Sequence, residues 1–127
     1  MLLGTNDVLH SKKPTRDVLV AYDTLLGQMR AKNPNMQIII STLLPLDPAR
    51  WPRAGVDGIN ALNSAIASWA PRRSTAQSPI YFVDTSAGFS AVLDTTDGEH
   101  PNDLGNEKMA RKLFQPTKDA IWAAGRA

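Results

Sequence analysis

The chain has 127 residues, 43% of them hydrophobic and 20% charged. This length suffices for one domain with its own core, and the composition is not that of a disordered chain. Fourteen Lys and Arg residues against twelve Asp and Glu residues leave a net charge of +2, too small an excess to indicate nucleic-acid binding. The absence of cysteine excludes disulfides, cysteine metal ligands and a cysteine nucleophile. No apolar run approaches the roughly 20 residues that cross a bilayer, so no membrane partner is expected.

The first part of the chain alternates between apolar runs and helical patterns. Residues 1–3 are apolar and predict the end of a buried strand, which leads into a loop at Gly4-Thr5-Asn6-Asp7. Taken alone, that stretch is more typical of an ordinary turn, because Gly, Asn and Asp favour turns. A helical pattern follows, with Thr15 as its expected N-cap, and Asn33 with the next proline stops it. The uncharged run at residues 36–43 indicates a strand buried on both faces, as in a parallel sheet.

A proline-rich loop and a second helix come next. Trp51, in the loop at residues 44–54, is either an anchor packed on the domain or an exposed platform for a ligand. A helix is predicted over residues 56–70, and Pro71 is expected to end it. Asn63 lies beside the apolar stripe of this helix, where its side-chain amide can tie down a neighbouring loop.

The last part of the chain carries the most suggestive stretch. A short buried strand is predicted at residues 80–83, followed by a loop at residues 85–96 and then by Asp-Gly-Glu-His-Pro-Asn at residues 97–102. A final helix follows, with Asn102 or Asp103 as its cap, and Pro116 is expected to kink or restart it. Its inward residues are predicted to be Met109, Ala110, Leu113 and Phe114.

The order of these elements predicts a parallel α/β sheet with right-handed crossovers. In open sheets of this kind the functional site lies at the carboxyl ends of the strands. Both polar stretches, at residues 4–7 and 97–102, fall on loops at that end.

The residue types in these stretches suit acyl transfer. His100 can act as a general base, Asp97 can orient and stabilise its imidazolium, and the Asn6 amide can donate to a developing oxyanion. The simpler interpretation of Asp97 and His100 is a capped turn that contains a chance histidine. A metal site would need further ligands, and no cluster of His and Asp accompanies them in the sequence.

At these residues the chain resembles the SGNH (GDSL-type) hydrolase superfamily. Gly4-Thr5-Asn6-Asp7 resembles the third block of that superfamily, and residues 97–105 resemble the fifth. Leu62-Asn63, Val83-Asp84 and Lys108-Met109-Ala110 match the branch that includes carbohydrate esterase family 3, the acetyl xylan esterases. The resemblance covers essentially the whole chain. It implies a three-layer α/β/α fold similar to flavodoxin, with Asn6 in an oxyanion hole and Asp97 and His100 in a catalytic triad.

The chain also departs from the superfamily. The first block, Gly-Asp-Ser with the nucleophilic serine, and the second block, with the oxyanion-hole glycine, have no counterpart here, and Asn106 stands where an aromatic residue is frequent. The resemblance thus implies a single domain at residues 1–127 without its N-terminal strands, inactive or very weak by itself. An uncovered sheet edge implies self-association or a separate N-terminal piece. The resemblance implies secretion, but no signal peptide is visible, so the compartment stays unknown.

The function implied by the resemblance is that of a serine esterase. It would deacetylate carbohydrates or cleave other short-acyl esters without a cofactor, with Thr5 and Trp51 as substrate contacts, and short lipidic esters fit the motifs equally well. The alternative is an inactive carbohydrate-binding or interaction module derived from such an enzyme. A reactive serine would distinguish the two, and no nucleophile-like motif surrounds the serines nearest the expected strand ends, Ser11, Ser41, Ser86 and Ser90. A nucleotide-binding function is weakly supported, because residues 4–7 lack the glycine spacing and the lysine of a phosphate loop.

Overall fold

Two short strands and four helices form the regular part of the structure, a computed structural model that describes residues 1–126. In chain order the elements are α1 (Thr5–Leu9), α2 (Thr15–Lys32), β1 (Ile38–Ser41), α3 (Arg53–Arg73), β2 (Ile80–Val83) and α4 (Asp103–Ala124). The predicted strand at residues 80–83 is confirmed at both ends. The other predicted strand is shorter than expected, because only four of residues 36–43 pair with a neighbour.

The two strands are parallel, as the unbroken apolar runs predicted, with Ile38 opposite Ile80. Residues 1–3 lie along the other edge of β1. The amino group of Met1 donates to the Ile39 carbonyl, and the Ser41 N–H donates to the Met1 carbonyl at 3.0 Å. These two bonds follow the pattern of a parallel pair. The apolar start of the chain therefore continues the sheet.

Helices lie on both faces of this sheet. Ile38 and Ile40 are buried in a core with the apolar faces of α2 and α3. Because side chains alternate along a strand, Ile39 points to the opposite face, and α4 contacts both strands. The helices contribute these buried residues to the core: Val18, Tyr22, Leu26, Ile59, Leu62, Ile66, Trp69 and Ala70.

The helix boundaries correct three expectations. Thr15 is the first residue of α2, and Pro14 stands at the N-cap, where its carbonyl accepts from the Asp17 N–H at 2.9 Å. Pro71 lies inside the last turn of α3, which ends at Arg73. Proline removes one backbone donor, but the turn around it still closes, because the Ser74 N–H donates to the Ala70 carbonyl at 3.1 Å. Pro116 was expected to kink or restart the last helix, and α4 does not restart there, since it is one helix from Asp103 to Ala124.

The inward face of α4 was only half predicted. Met109 and Leu113 are partly buried, but Ala110 is exposed and the Phe114 side chain is 68% exposed. The reason is the width of the sheet that α4 covers, since two strands are too narrow to cover the whole apolar stripe. Ile121 and Trp122 are exposed for the same reason.

Candidate active site

Asp97 and His100 form a hydrogen-bonded pair in the loop between β2 and α4. His100 Nδ1 lies 2.7 Å from Asp97 Oδ2. The other oxygen, Asp97 Oδ1, accepts from the backbone N–H groups of His100 at 2.8 Å and of Glu99 at 3.0 Å. The carboxylate is thus fixed by its own turn, and it faces the imidazole with the remaining oxygen. Both side chains reach solvent, with 69% of His100 and 50% of Asp97 exposed.

The electrostatics of the pair fix the tautomer of the histidine. The hydrogen bonds from the His100 backbone and side chain, followed by the Glu99 N–H, lower the pKa of Asp97 to about 2. Asp97 is therefore ionised at neutral pH and can only accept, so Nδ1 of His100 carries a proton. The same carboxylate raises the pKa of His100. In the neutral imidazole Nε2 is left with a free lone pair, as a general base requires.

Backbone hydrogen bonds close the loop around the pair. Thr95 and Pro101 form an isolated antiparallel bridge, and the Thr96 N–H donates to the His100 carbonyl at 2.9 Å. The Asn102 side chain caps α4 by accepting from the Gly105 N–H at 3.0 Å, which confirms the predicted cap. The dyad is therefore joined directly to a helix N-terminus.

A second loop packs against the loop that carries the dyad. The Asp47 N–H donates to the Gly98 carbonyl at 2.9 Å. Gly98 has φ +91°, and a Cβ there would lie 2.9 Å from both Asp47 Cβ and Arg50 Cδ, so only glycine fits between the two loops. The Asp47 loop is itself held by Asn63, whose amide accepts from the Leu43 N–H at 2.7 Å and donates to its carbonyl at 2.8 Å. The prediction that Asn63 ties down a neighbouring loop is confirmed.

Asn6 and Thr5 belong to a different element from the dyad. A loop was expected at residues 4–7, but only Gly4 is outside a helix, because the short helix α1 begins at Thr5. The physical reason is close packing on α3, since a Cβ on Gly58 would lie only 2.7 Å from Val8 Cγ1. Asn6 is exposed and Thr5 partly buried. Both line an open groove of about 340 Å³ between residues 2–7 and one face of α2.

Trp51 packs against the core. It is partly buried, as expected of an anchor, and its indole Nε1 is buried without a hydrogen-bond partner among residues 1–126. The structure therefore places Asp97 and His100 in contact with each other, and it places Asn6, Thr5 and Trp51 on other elements.

Sequence reasoning did not single out Asp94 and Lys108, which form an ion pair close to the dyad. Asp94 is fully buried three residues before Asp97, and Lys108 Nζ lies 2.7 Å from its Oδ2. The sequence signal was only an acid in a polar loop and a lysine on a helix, which is typical of solvated surface.

Two further features of the described residues concern metal ions and membranes. No group of three or more His, Cys, Asp and Glu side chains lies close enough in residues 1–126 to hold a metal ion. Across the same residues, none of the helices combines the length and apolar character that a bilayer crossing needs.

Comparison with known proteins places the chain in a family. Residues 1–108 match the family described as GDSL-like lipase/acylhydrolase. The chain belongs to this GDSL-like family. A search of curated proteins found no match.

Three solved structures share the architecture of this GDSL-like chain. An acetyl esterase, solved as a serine-to-alanine mutant with acetate ion, is 33% identical with a TM-score of 0.79. A carbohydrate esterase family 3 protein from Talaromyces cellulolyticus is 35% identical with a TM-score of 0.78. Each match covers 93% of this chain and 57% of the relative, so the chain spans little more than half their length. The esterase domain of the zebrafish ZfL2-1 ORF1 protein shares the fold, with 20% identity, a TM-score of 0.71, and 84% and 64% of the two chains covered.

Proposed function

We propose that the chain supplies the acid–base and oxyanion part of an SGNH-type serine ester hydrolase. The observation that carries the proposal is the Asp97–His100 pair, in which Nε2 is free and the imidazole is exposed. The family and two solved relatives named as esterases support the same reaction class.

In this mechanism His100 and Asp97 act on a serine hydroxyl. Nε2 of His100 takes the hydroxyl proton as the serine oxygen attacks the ester carbonyl, and Asp97 stabilises the imidazolium that results. The Asn6 amide donates to the oxyanion, a contact whose loss typically raises the barrier by about 2.7–4 kcal/mol. The imidazolium then returns its proton to the departing alcohol. Water hydrolyses the acyl-serine in a second round of the same proton transfers.

We place the nucleophilic serine outside these 127 residues. Ser86 Oγ donates to Asp84 at 2.6 Å, and Ser90 Oγ accepts from the Leu93 N–H at 3.3 Å. Ser41 is buried beside the Met1 carbonyl. These contacts leave His100 without a serine partner in the described part of the chain, which favours a serine supplied by a further segment or chain.

The proposed substrates are short-acyl esters, with acetylated carbohydrate first. The support is the names of the two relatives at 33% and 35% identity. Thr5 is proposed to contact the substrate because it lines the same groove as Asn6. Trp51 is proposed as a second contact, because it lies at the loop that packs against the dyad loop and is only partly buried.

The test compares this chain alone with a fusion protein in which the missing part of a related esterase precedes it. The part of the Talaromyces cellulolyticus esterase without a counterpart here is joined to Met1, and both proteins receive a fluorophosphonate probe and p-nitrophenyl acetate. We expect an adduct and hydrolysis only in the fusion, with a loss of about 10²–10⁴-fold for H100A and about 10²–10³-fold for N6A.

Two results would contradict the proposal. An adduct on the unfused chain that disappears in H100A would show a nucleophile within these residues, and peptide mapping would name it. A folded fusion that binds acetylated xylan but hydrolyses nothing would identify a binding module instead of an enzyme.

A further inference from the structure

A buried ion pair lies next to the exposed dyad. Asp94 Oδ2 accepts from Lys108 Nζ and from the Ser90 N–H, both at 2.7 Å. The Asp94 side chain has no solvent exposure, whereas 38% of Lys108 remains exposed. The Lys108 ammonium, with the Ser90 N–H, lowers the pKa of Asp94. An ionised carboxylate in such a place needs its partner, because an unpaired buried charge is strongly unfavourable.

The backbone of Asp94 joins the two ends of the dyad loop. Its carbonyl accepts from the Asn102 N–H at 2.9 Å, and its N–H donates to the Ser90 carbonyl at 2.8 Å. The first turn of α4 packs directly on this carbonyl, since a Cβ on Gly105 would lie 2.2 Å from it. The loop that carries Asp97 and His100 therefore begins after Asp94 and is closed at its other end by the hydrogen bond from Asn102 to Asp94.

The dyad itself has little packing to hold it. Both its side chains are at least half exposed, so their geometry depends on the backbone beneath them. Lys108 adds a further link, because its Nζ also donates to the Gly88 carbonyl at 3.3 Å. A single side chain of α4 thus ties the start of the β2–α4 loop to the base of the dyad loop.

We propose that Asp94 and Lys108 are positioning residues, whose buried ion pair holds the dyad loop so that Asp97 faces His100 Nδ1. The inference deepens the proposed function and rests on it for its catalytic meaning. Asp94 Oδ1 is buried without a hydrogen-bond partner among residues 1–126, which lowers the free energy of unfolding, so stability alone does not explain the ion pair. In other proteins, replacing a buried ion pair by apolar residues of similar size is often neutral or stabilising.

The experiment measures His100 directly and needs no ester hydrolysis. The chain has two histidines, so a His10→Gln background leaves one imidazole, whose pKa and Nδ1 proton signal are followed by NMR. The variants are K108M and the charge-balanced D94N/K108M. The matched control is K112M, one turn later on α4, which removes a lysine that donates to the Asp84 carbonyl at 2.7 Å. Circular dichroism establishes that each variant is folded.

The direction of the pKa change separates positioning from simple electrostatics. Removing the positive charge of Lys108 would by itself raise the pKa of a nearby imidazole, and the double variant leaves the net charge unchanged. We expect instead that the His100 pKa falls toward about 6.5 in both variants, with loss of the Nδ1 proton signal, whereas K112M keeps both. An unchanged or raised pKa in folded D94N/K108M, or an equal fall in K112M, would overturn the proposal. Because the readout is independent of turnover, a failure here would not be confused with failure of the fusion to hydrolyse esters.

Discussion

Replacing Asn63 by alanine removes the tie between α3 and the loop that supports the dyad. The change deletes two side-chain hydrogen bonds and leaves the N–H and carbonyl of Leu43 without those partners. Leu43 is 1% exposed, so water reaches these groups poorly. An unpaired buried polar group typically costs about 1–3 kcal/mol.

The expected loss can be worked out from these contacts. Two unpaired groups cost about 2–4 kcal/mol after partial rescue by water, and the better helix propensity of alanine returns about 0.5 kcal/mol. The net fall in the free energy of unfolding is therefore about 1.5–3.5 kcal/mol. With about 2.1 cal/mol/K of unfolding entropy per residue, the 127-residue chain should lose about 6–13 °C in Tm.

The assay is thermal unfolding followed by circular dichroism, with N60A as the matched control. Asn60 is exposed on the same helix, and its side chain makes no hydrogen bond among the described residues. The propensity gain is the same in both variants, so the difference between them isolates the contacts with Leu43. A Tm of N63A within about 2 °C of that of N60A would refute the reasoning, since only about 0.5 kcal/mol or less would then be assigned to both bonds.

Three further predictions follow from the same structure. For D97N, we expect the Tm difference from wild type to be largest near pH 5. This difference should shrink as the pH falls from about 4 to 2, because the stability that comes from the lowered pKa of Asp97 is lost as Asp97 is protonated. It should also shrink at higher pH, where His100 loses the positive charge that Asp97 stabilises. A Tm difference independent of pH would contradict this. G105A should lower the free energy of unfolding in urea by about 1–3 kcal/mol, because its Cβ would overlap the Asp94 carbonyl. The control G27A should be neutral or stabilising, because nothing lies within 4 Å of a Cβ at that position. Equal effects of the two variants would argue against close packing at Gly105. The chain should self-associate through the sheet edge at residues 1–3, where Leu2 and Leu3 are exposed. Sedimentation should show species larger than a monomer, and the L2K substitution should reduce their share. A monomer at high concentration without dye-binding apolar surface would count against this prediction.

Local patterns predicted the elements whose boundaries depend on local chemistry. The strand at residues 80–83 was correct at both ends because its β-branched and aromatic run is bounded by Pro79 and Asp84. The Asn102 cap was correct because a side-chain oxygen three residues before a free N–H suffices to define it. The Asp97–His100 contact also follows from their spacing, since one turn of four residues brings the two side chains together.

Features that depend on distant residues escaped prediction. Residues 4–7 were expected to form a loop, but the helix α1 begins at Thr5, where Gly55 and Gly58 of α3 let it pack closely. Phe114 was expected to face inward, and it is exposed because the sheet beneath α4 is narrow.

The sequence by itself determined the parallel α/β order, the family resemblance and the close pairing of Asp97 with His100, because periodicity, caps and short spacings are properties of neighbouring residues. Only the tertiary structure decided that Asp94 is buried against Lys108 and that Gly98 must fit between two loops. Burial is set by elements far apart in the chain, and a carboxylate in a loop has the same local sequence whether water or an ammonium group faces it.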